Sequence, residues 1–274
     1  MSNKKELKIS NKSDRPDNIV LRDHLLIEKA MEYEKRLPSF MKDYFVYLKS
    51  SVAVSTRAAY LEDIIFFCEY IVNESGLTDK DDMKNLTVED FKNIKSRDVN
   101  LFLGDYCPRY YKEREDHTFV YENNNRALAR KKSSISTLFK FLYRNEQLPT
   151  NITDGFNPIK LPKPQPDAIK RLDIDEVMVM LDAVESGEGL TEKEKVYWEK
   201  TKLRDKAILA LFVTYGLRLN ELRELNISSF NFSRGEFKIY RKRGKEVLMP
   251  INKTCETVVI DYINYERPKS EDLP

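Results

Sequence analysis

Apolar residues recur at helical spacing along most of this chain. Tyr60, Ile64, Phe67, Cys68 and Ile71 fall at i, i+4, i+7, i+8 and i+11, which is one face of a helix. Ser55, just before Thr56-Arg57, is its expected N-cap. Upstream, Met41, Tyr44, Phe45 and Leu48 repeat the pattern behind Leu37-Pro38 and a capping Ser39. Val20 to Arg36 forms a further helix, and residues 1 to 18 are polar without periodicity, as in a solvated tail. Leu86-Thr87-Val88-Glu89-Asp90 and Ser96-Arg97-Asp98-Val99 open two shorter helices, the second running towards Tyr106. Residues 107 to 124 are charged and irregular and read as a loop. From Arg126 to Arg144, Ile135, Leu138, Phe139 and Leu142 mark another buried stripe.

The second half changes character. Pro158, Pro162, Pro164 and Pro166 remove backbone donors and favour extended chain, so this stretch reads as a stiff linker and the domain boundary. Asp173 then caps a helix, with Glu176 three residues on and Val177, Met180, Leu181 and Val184 inward. Gly187 to Leu190 breaks it, and Trp198 anchors the charged turn that follows. Ile208, Leu211, Phe212 and Tyr215 define a clear helix that Gly216 ends at positive φ. Leu219 to Leu225 starts another. Phe237 to Tyr240 and Glu246 to Met249 read as strands joined by a tight turn at Arg243-Gly244. A last helix carries Val258, Val259, Tyr262 and Ile263.

Composition narrows the class. Only eight glycines in 274 residues agree with a mainly helical chain. The longest apolar run, Ala207 to Val213, is far below the ~18 residues of a membrane span, so no membrane is expected as partner. The N-terminus lacks the apolar core of a secretory signal. Cys68, Cys107 and Cys255 form neither a metal pattern nor a disulfide framework, which fits a cytoplasmic protein, and Cys68 is expected in the core. Net charge is only +2, so any claim of nucleic-acid binding rests on where the charge sits.

Charge concentrates in three places. Arg126, Arg130, Lys131, Lys132, Lys140 and Arg144 share one helix with no acid among them, and Ser133, Ser134 and Thr137 lie beside them. That set suits a DNA backbone or groove; the bland alternative is a solvated basic face. Arg218 follows a Gly-Leu turn at a helix start, where a planar fork of permanent charge suits a phosphate. Glu221, three residues on, either braces it for that task or forms an ordinary surface pair with it. Lys238, Arg241, Lys242, Arg243 and Lys245 load the hairpin, to reach a phosphate or to blunt an edge strand. No glycine-rich phosphate loop, metal constellation or carboxylate cluster occurs, so no cofactor or metal is expected.

The stretch Thr214-Tyr215-Gly216-Leu217-Arg218-Leu219-Asn220-Glu221-Leu222 resembles the first arginine box of the tyrosine recombinase (phage integrase) family. Arg241-Lys242-Arg243-Gly244-Lys245-Glu246, followed by Leu248-Met249-Pro250-Ile251, resembles its lysine-bearing β-hairpin. Ser55-Thr56-Arg57-Ala58-Ala59-Tyr60 and Asn125-Arg126 through Leu142 resemble the DNA-facing helices of its core-binding domain, and Asn157-Pro158 its exit into the linker. The look is nearest to Xer-type and transposon integrases and covers roughly residues 38 to 265. It implies a mainly α chain of two domains: a four-to-five-helix SAM-like core-binding domain and a partial α+β catalytic domain with a small hairpin. The expected boundaries are 1–36 for tail and extra helix, 37–157 for core binding, 158–171 for linker and 172–274 for the catalytic part.

The implied function is site-specific recombination of double-stranded DNA through a 3′-phosphotyrosyl intermediate. Arg218 would bind the scissile phosphate, Glu221 would orient it, and Lys242 would protonate the leaving 5′-hydroxyl, with Lys245 as rival. Thr56, Arg57, Arg126, Arg130, Lys131, Lys132, Ser134, Arg241, Arg243 and Lys245 would contact DNA, with Lys131 and Lys132 required for binding. Recombinase protomers on paired sites would be partners, in a cytoplasmic, nucleoid-associated setting. The family's second box, His-x-x-Arg, and its nucleophilic tyrosine are not found after the hairpin; His24 and His117 both precede Arg218, and Tyr262 and Tyr265 come too early. The expectation is therefore a truncated recombinase that binds DNA without cleaving it, or a non-catalytic DNA-binding regulator. A helical scaffold for protein partners, its basic residues merely solvated, is the third reading.

Overall fold

The computed structural model describes residues 17–114, 117–163, 171–241 and 245–269. The chain divides into two compact units, one of residues 22–165 and one of residues 166–274 with the first 21.

The first unit is helical. It contains most of α1 (Asp17–Arg36), then α2 (Lys42–Ser51), α3 (Val54–Asn73), α4 (Val88–Asn93) and α5 (Ser96–Leu101). A two-stranded hairpin, β1 (Arg109–Arg114) and β2 (His117–Glu122), precedes the long α6 (Asn125–Arg144). Tyr44, Phe67, Phe91, Phe102 and Phe139 are fully buried in one continuous core. The periodic stripes of α3 and α6 meet there, and Cys68 is buried with them. Thr87 and Asp90 cap α4 reciprocally, the Thr87 N–H donating to Asp90 at 2.7 Å. The cap of α3 differs from expectation. Ala53 occupies it and the helix begins at Val54, so Ser55 lies inside the first turn.

Residues 107–124 are not the loop that their charge implied. Tyr110 pairs with Tyr121, Tyr111 with Val120 and Lys112 with Phe119 in an antiparallel register. Charged residues between the aromatics hid the strand pattern. Tyr110 stacks on Tyr121 at 5.1 Å and contacts Phe66 of α3 at 4.6 Å, which fastens the hairpin to the core.

The second unit contains α7 (Ile174–Ser186), α8 (Glu192–Trp198), α9 (Lys202–Tyr215), α10 (Leu219–Arg223) and α11 (Lys253–Asp261). Its sheet has the order β3 (Phe230–Asn231), β4 (Glu236–Arg241), β5 (Lys245–Pro250), all antiparallel. Phe237 and Ile239 of β4 pack against Ala207 and Leu211 of α9 and Val258 and Val259 of α11. Trp198 Nε1 donates to the Val184 carbonyl at 2.7 Å, tying α8 to α7. Gly216 adopts φ +58° and ends α9, as its position required.

Candidate nucleic-acid interface and phosphate site

The left-handed turn at Gly216 reverses the chain, and Leu217 plugs into the core behind it. Arg218 is thereby delivered to the cap position of α10 with its side chain 75% exposed. Glu221 is the opposite case, its side chain only 6% exposed. One carboxylate oxygen accepts the Arg218 backbone N–H at 2.9 Å, and the other accepts its Nη1 at 2.8 Å. Arg241 Nε, at the end of β4, lies 3.9 Å from that second oxygen. Burial alone would raise the Glu221 carboxyl. The two hydrogen bonds from Arg218 and the charges of Arg218 and Arg241 outweigh it and hold the group below the usual carboxylate range.

Two guanidinium groups are thus gathered on one buried carboxylate. That arrangement can present fixed cationic donors to an anion in solvent. α10 is a single turn, so the helix dipole contributes little here and the side chains must carry the task. Lys245 pairs across the strands with Arg241 and is exposed. Lys242 and Arg243 lie outside the described residues. Lys238 is not available as a bare cation, because its Nζ sits 3.1 Å from Glu246. Its hydrogen bond, then that of Tyr240, lowers the Glu246 carboxyl.

In the helical unit the structure sorts the expected DNA contacts into two groups. Arg57, Lys131 and Ser134, expected at the DNA, are buried. Arg57 Nε donates to Glu34 of α1 at 3.2 Å. Lys131 Nζ donates to Asp63 of α3 at 3.0 Å, and Ser134 Oγ donates to the same carboxylate at 2.7 Å. A buried charge needs its partner, so these side chains are turned inward. Lys132 is half-buried, and its Nζ donates to the carbonyl of Asn157 at 2.8 Å. Thr56 is half-buried in the first turn of α3.

The outward group is one stripe. Arg126, Arg130, Ser133, Thr137, Lys140 and Arg144 follow one another at i, i+4, i+7, i+11, i+14 and i+18 along α6. It runs about 27 Å. Arg126, Lys140 and Arg144 form no ion pair with a described residue. Asp63 is the functional candidate that sequence reasoning missed. The signal was an acid, next to Glu62, that the helical period places among the buried residues of α3 beside Ile64 and Ile65. No described helix is long and apolar enough to cross a membrane.

A family model described as the phage integrase family matches residues 170–273, the stretch that holds Arg218, Glu221 and the hairpin. Tyrosine recombinase XerS of Streptococcus thermophilus is 28% identical over 246 residues, covering 82% of this chain and 67% of the relative. Tyrosine recombinase XerC of Syntrophus aciditrophicus is 28% identical over 229 residues, covering 84% and 64%. Residues 170–273 thus resemble the phage integrase family, and the relatives matched over most of the chain are tyrosine recombinases. The chain spans about two thirds of the length of these relatives. Among solved structures it is similar to the XerH site-specific recombinase bound to palindromic difH, at 16% identity and a TM-score of 0.47, over 97% of this chain and 67% of that one.

Proposed function

We propose that this chain is the DNA-binding and phosphate-seating portion of a site-specific recombinase that acts on duplex DNA. The observation that carries the reading is Arg218, exposed yet fixed at two points by the buried Glu221, with Arg241 on the same oxygen. Arg218 grips the non-bridging oxygens of the scissile phosphate, where its fork stabilises charge that grows in the transition state. In the complete reaction a tyrosine oxygen bonds to phosphorus and the bond to the 5′-oxygen breaks. Lys242 gives that oxygen a proton, or Lys245 does so. The α6 stripe lies along the duplex and supplies sequence-independent charge at Arg126 and Arg130, extended by Lys140 and Arg144. Arg241, Arg243 and Lys245 add backbone contacts from the hairpin, and Thr56 does so from the start of α3.

Names of the relatives support the reaction class: the matched proteins are tyrosine recombinases. Partner protomers on paired sites and a cytoplasmic, nucleoid-associated setting belong to the same proposal. Both histidines precede Arg218, so the expectation for these 274 residues is DNA binding without a covalent adduct. The experiment is incubation with a nicked suicide duplex, read on a denaturing gel. The expected result is retention on native gels with no covalent species. A covalent adduct refutes the inactive reading, and no native retention refutes the DNA reading.

A further inference from the structure

Asp63 is the most deeply buried charged side chain described, with no exposed surface, and it faces three donors from one turn of α6. Arg130 Nη1 donates to its Oδ2, Lys131 Nζ to its Oδ1 and Ser134 Oγ to its Oδ2. The Lys131 ammonium also lies over the Phe66 ring at 4.9 Å. An apolar contact between α3 and α6 would hold the helices at least as well, because a buried ion pair repays its desolvation poorly. The carboxylate therefore calls for a role other than adhesion.

That role lies in the one partner that reaches solvent. Lys131 has 10% of its side chain exposed, but Arg130 has 43%. Arg130 Nη1 is held twice, by Asp63 and by the Ala59 carbonyl at 3.2 Å. A guanidinium is planar, so two acceptors on one terminal nitrogen fix the plane of the whole group. The opposite edge, Nε with Nη2, has no hydrogen bond to a described residue, and the side chain is part of the outward stripe of α6.

We infer that Asp63 is a positioning residue, which with Lys131 and Ser134 locks Arg130 as a preformed bidentate fork for a pair of acceptors on duplex DNA. Those acceptors are two oxygens of one phosphate, or O6 and N7 of a guanine. The inference rests on the DNA-binding reading above, and it assigns Lys131 and Ser134 to the holder instead of the contact. Fixing the fork beforehand removes the ordering cost of a long side chain on binding, which is worth about 3- to 10-fold in affinity.

The test is a double-mutant cycle of Asp63→Asn and Arg130→Ala, read by anisotropy with end-labelled duplex DNA of mixed sequence. Asp63→Asn is expected to weaken binding about 3- to 10-fold in the native background and to have no further effect when Arg130 is already Ala. An equal loss in both backgrounds, or no loss where Arg130→Ala itself loses affinity, overturns the inference. If the native chain shows no salt-dependent binding, the DNA reading has failed, and the geometry is judged by the second measurement. That measurement is nitrogen NMR of arginine side chains in the native, unliganded protein. Arg130 should show hindered guanidinium rotation; mobility equal to Arg126 and Arg144 overturns the inference without any variant having to fold. A duplex carrying 7-deazaguanine separates the acceptors. Lower native affinity that Arg130→Ala abolishes identifies guanine. An unchanged affinity, with a salt slope reduced by about 0.9 in Arg130→Ala, identifies phosphate.

Discussion

Glu221 holds Arg218 at two points, through its backbone N–H at 2.9 Å and its guanidinium at 2.8 Å. The carboxylate is buried while the arginine it steers is open to solvent. Orientation is thus set inside the protein and displayed outside it. Replacing Glu221 with Ala removes both acceptors at once and should cost about 2 kcal/mol of stability, measured by urea unfolding at neutral pH. An unchanged midpoint would show that the pair is decorative.

The pH dependence of that pair has a definite sign. The folded Glu221 carboxyl is held below the ordinary glutamate range, so the folded state favours its charged form. Its stabilisation is fully present above the unfolded value, about 4.3, and is lost as pH falls through the lower folded value. The stability gap between the native chain and Glu221→Gln should therefore be constant near neutrality and close below about pH 4. A gap that widens on acidification contradicts this seat.

Lys131 and Lys140 belong to the same basic helix, but their substitutions should fail differently. Lys131→Glu sets a second buried carboxylate against Asp63 and should cost at least about 3 kcal/mol, lowering the melting temperature sharply. Lys140 is exposed, so Lys140→Glu should change stability by under about 0.5 kcal/mol. It should nevertheless weaken DNA binding. Matching melting curves for the two variants would show that Lys131 is not a structural cation.

The β1–β2 hairpin depends on Tyr110, whose ring lies between Tyr121 and Phe66. Tyr110→Ala should cost about 2 kcal/mol and open the hairpin amides to hydrogen exchange while α6 stays protected. Uniform loss of protection through the helical unit would instead make the hairpin part of the core.

The helices, the turn at Gly216 and the placing of Arg218 were legible because each depends on local spacing: a 3.6-residue stripe, a glycine after it, and an arginine next in line. The β1–β2 hairpin was not, since its aromatics alternate with charges and its pairing is set by contact with Phe66. The fate of the basic residues on α6 was also hidden. Arg130 and Lys131 are neighbours in sequence but lie about 100° apart around a helix, so one reaches solvent and the other does not. Asp63, sixty-odd residues upstream on α3, accepts from both, and local spacing does not reveal that contact. The same limit applies to Arg57, which Glu34 of α1 draws out of reach.

The central claim is that the outward arginines and lysines engage the phosphates of duplex DNA. Its most direct test is the affinity of the native chain for duplex DNA, followed by anisotropy from about 50 to 200 mM salt. A straight fall of log affinity against log salt is predicted, with a slope made shallower by about 0.9 for each true phosphate contact removed, as with Arg126→Ala or Arg144→Ala. Binding that is absent at low salt, or indifferent to salt and to both substitutions, would contradict the account.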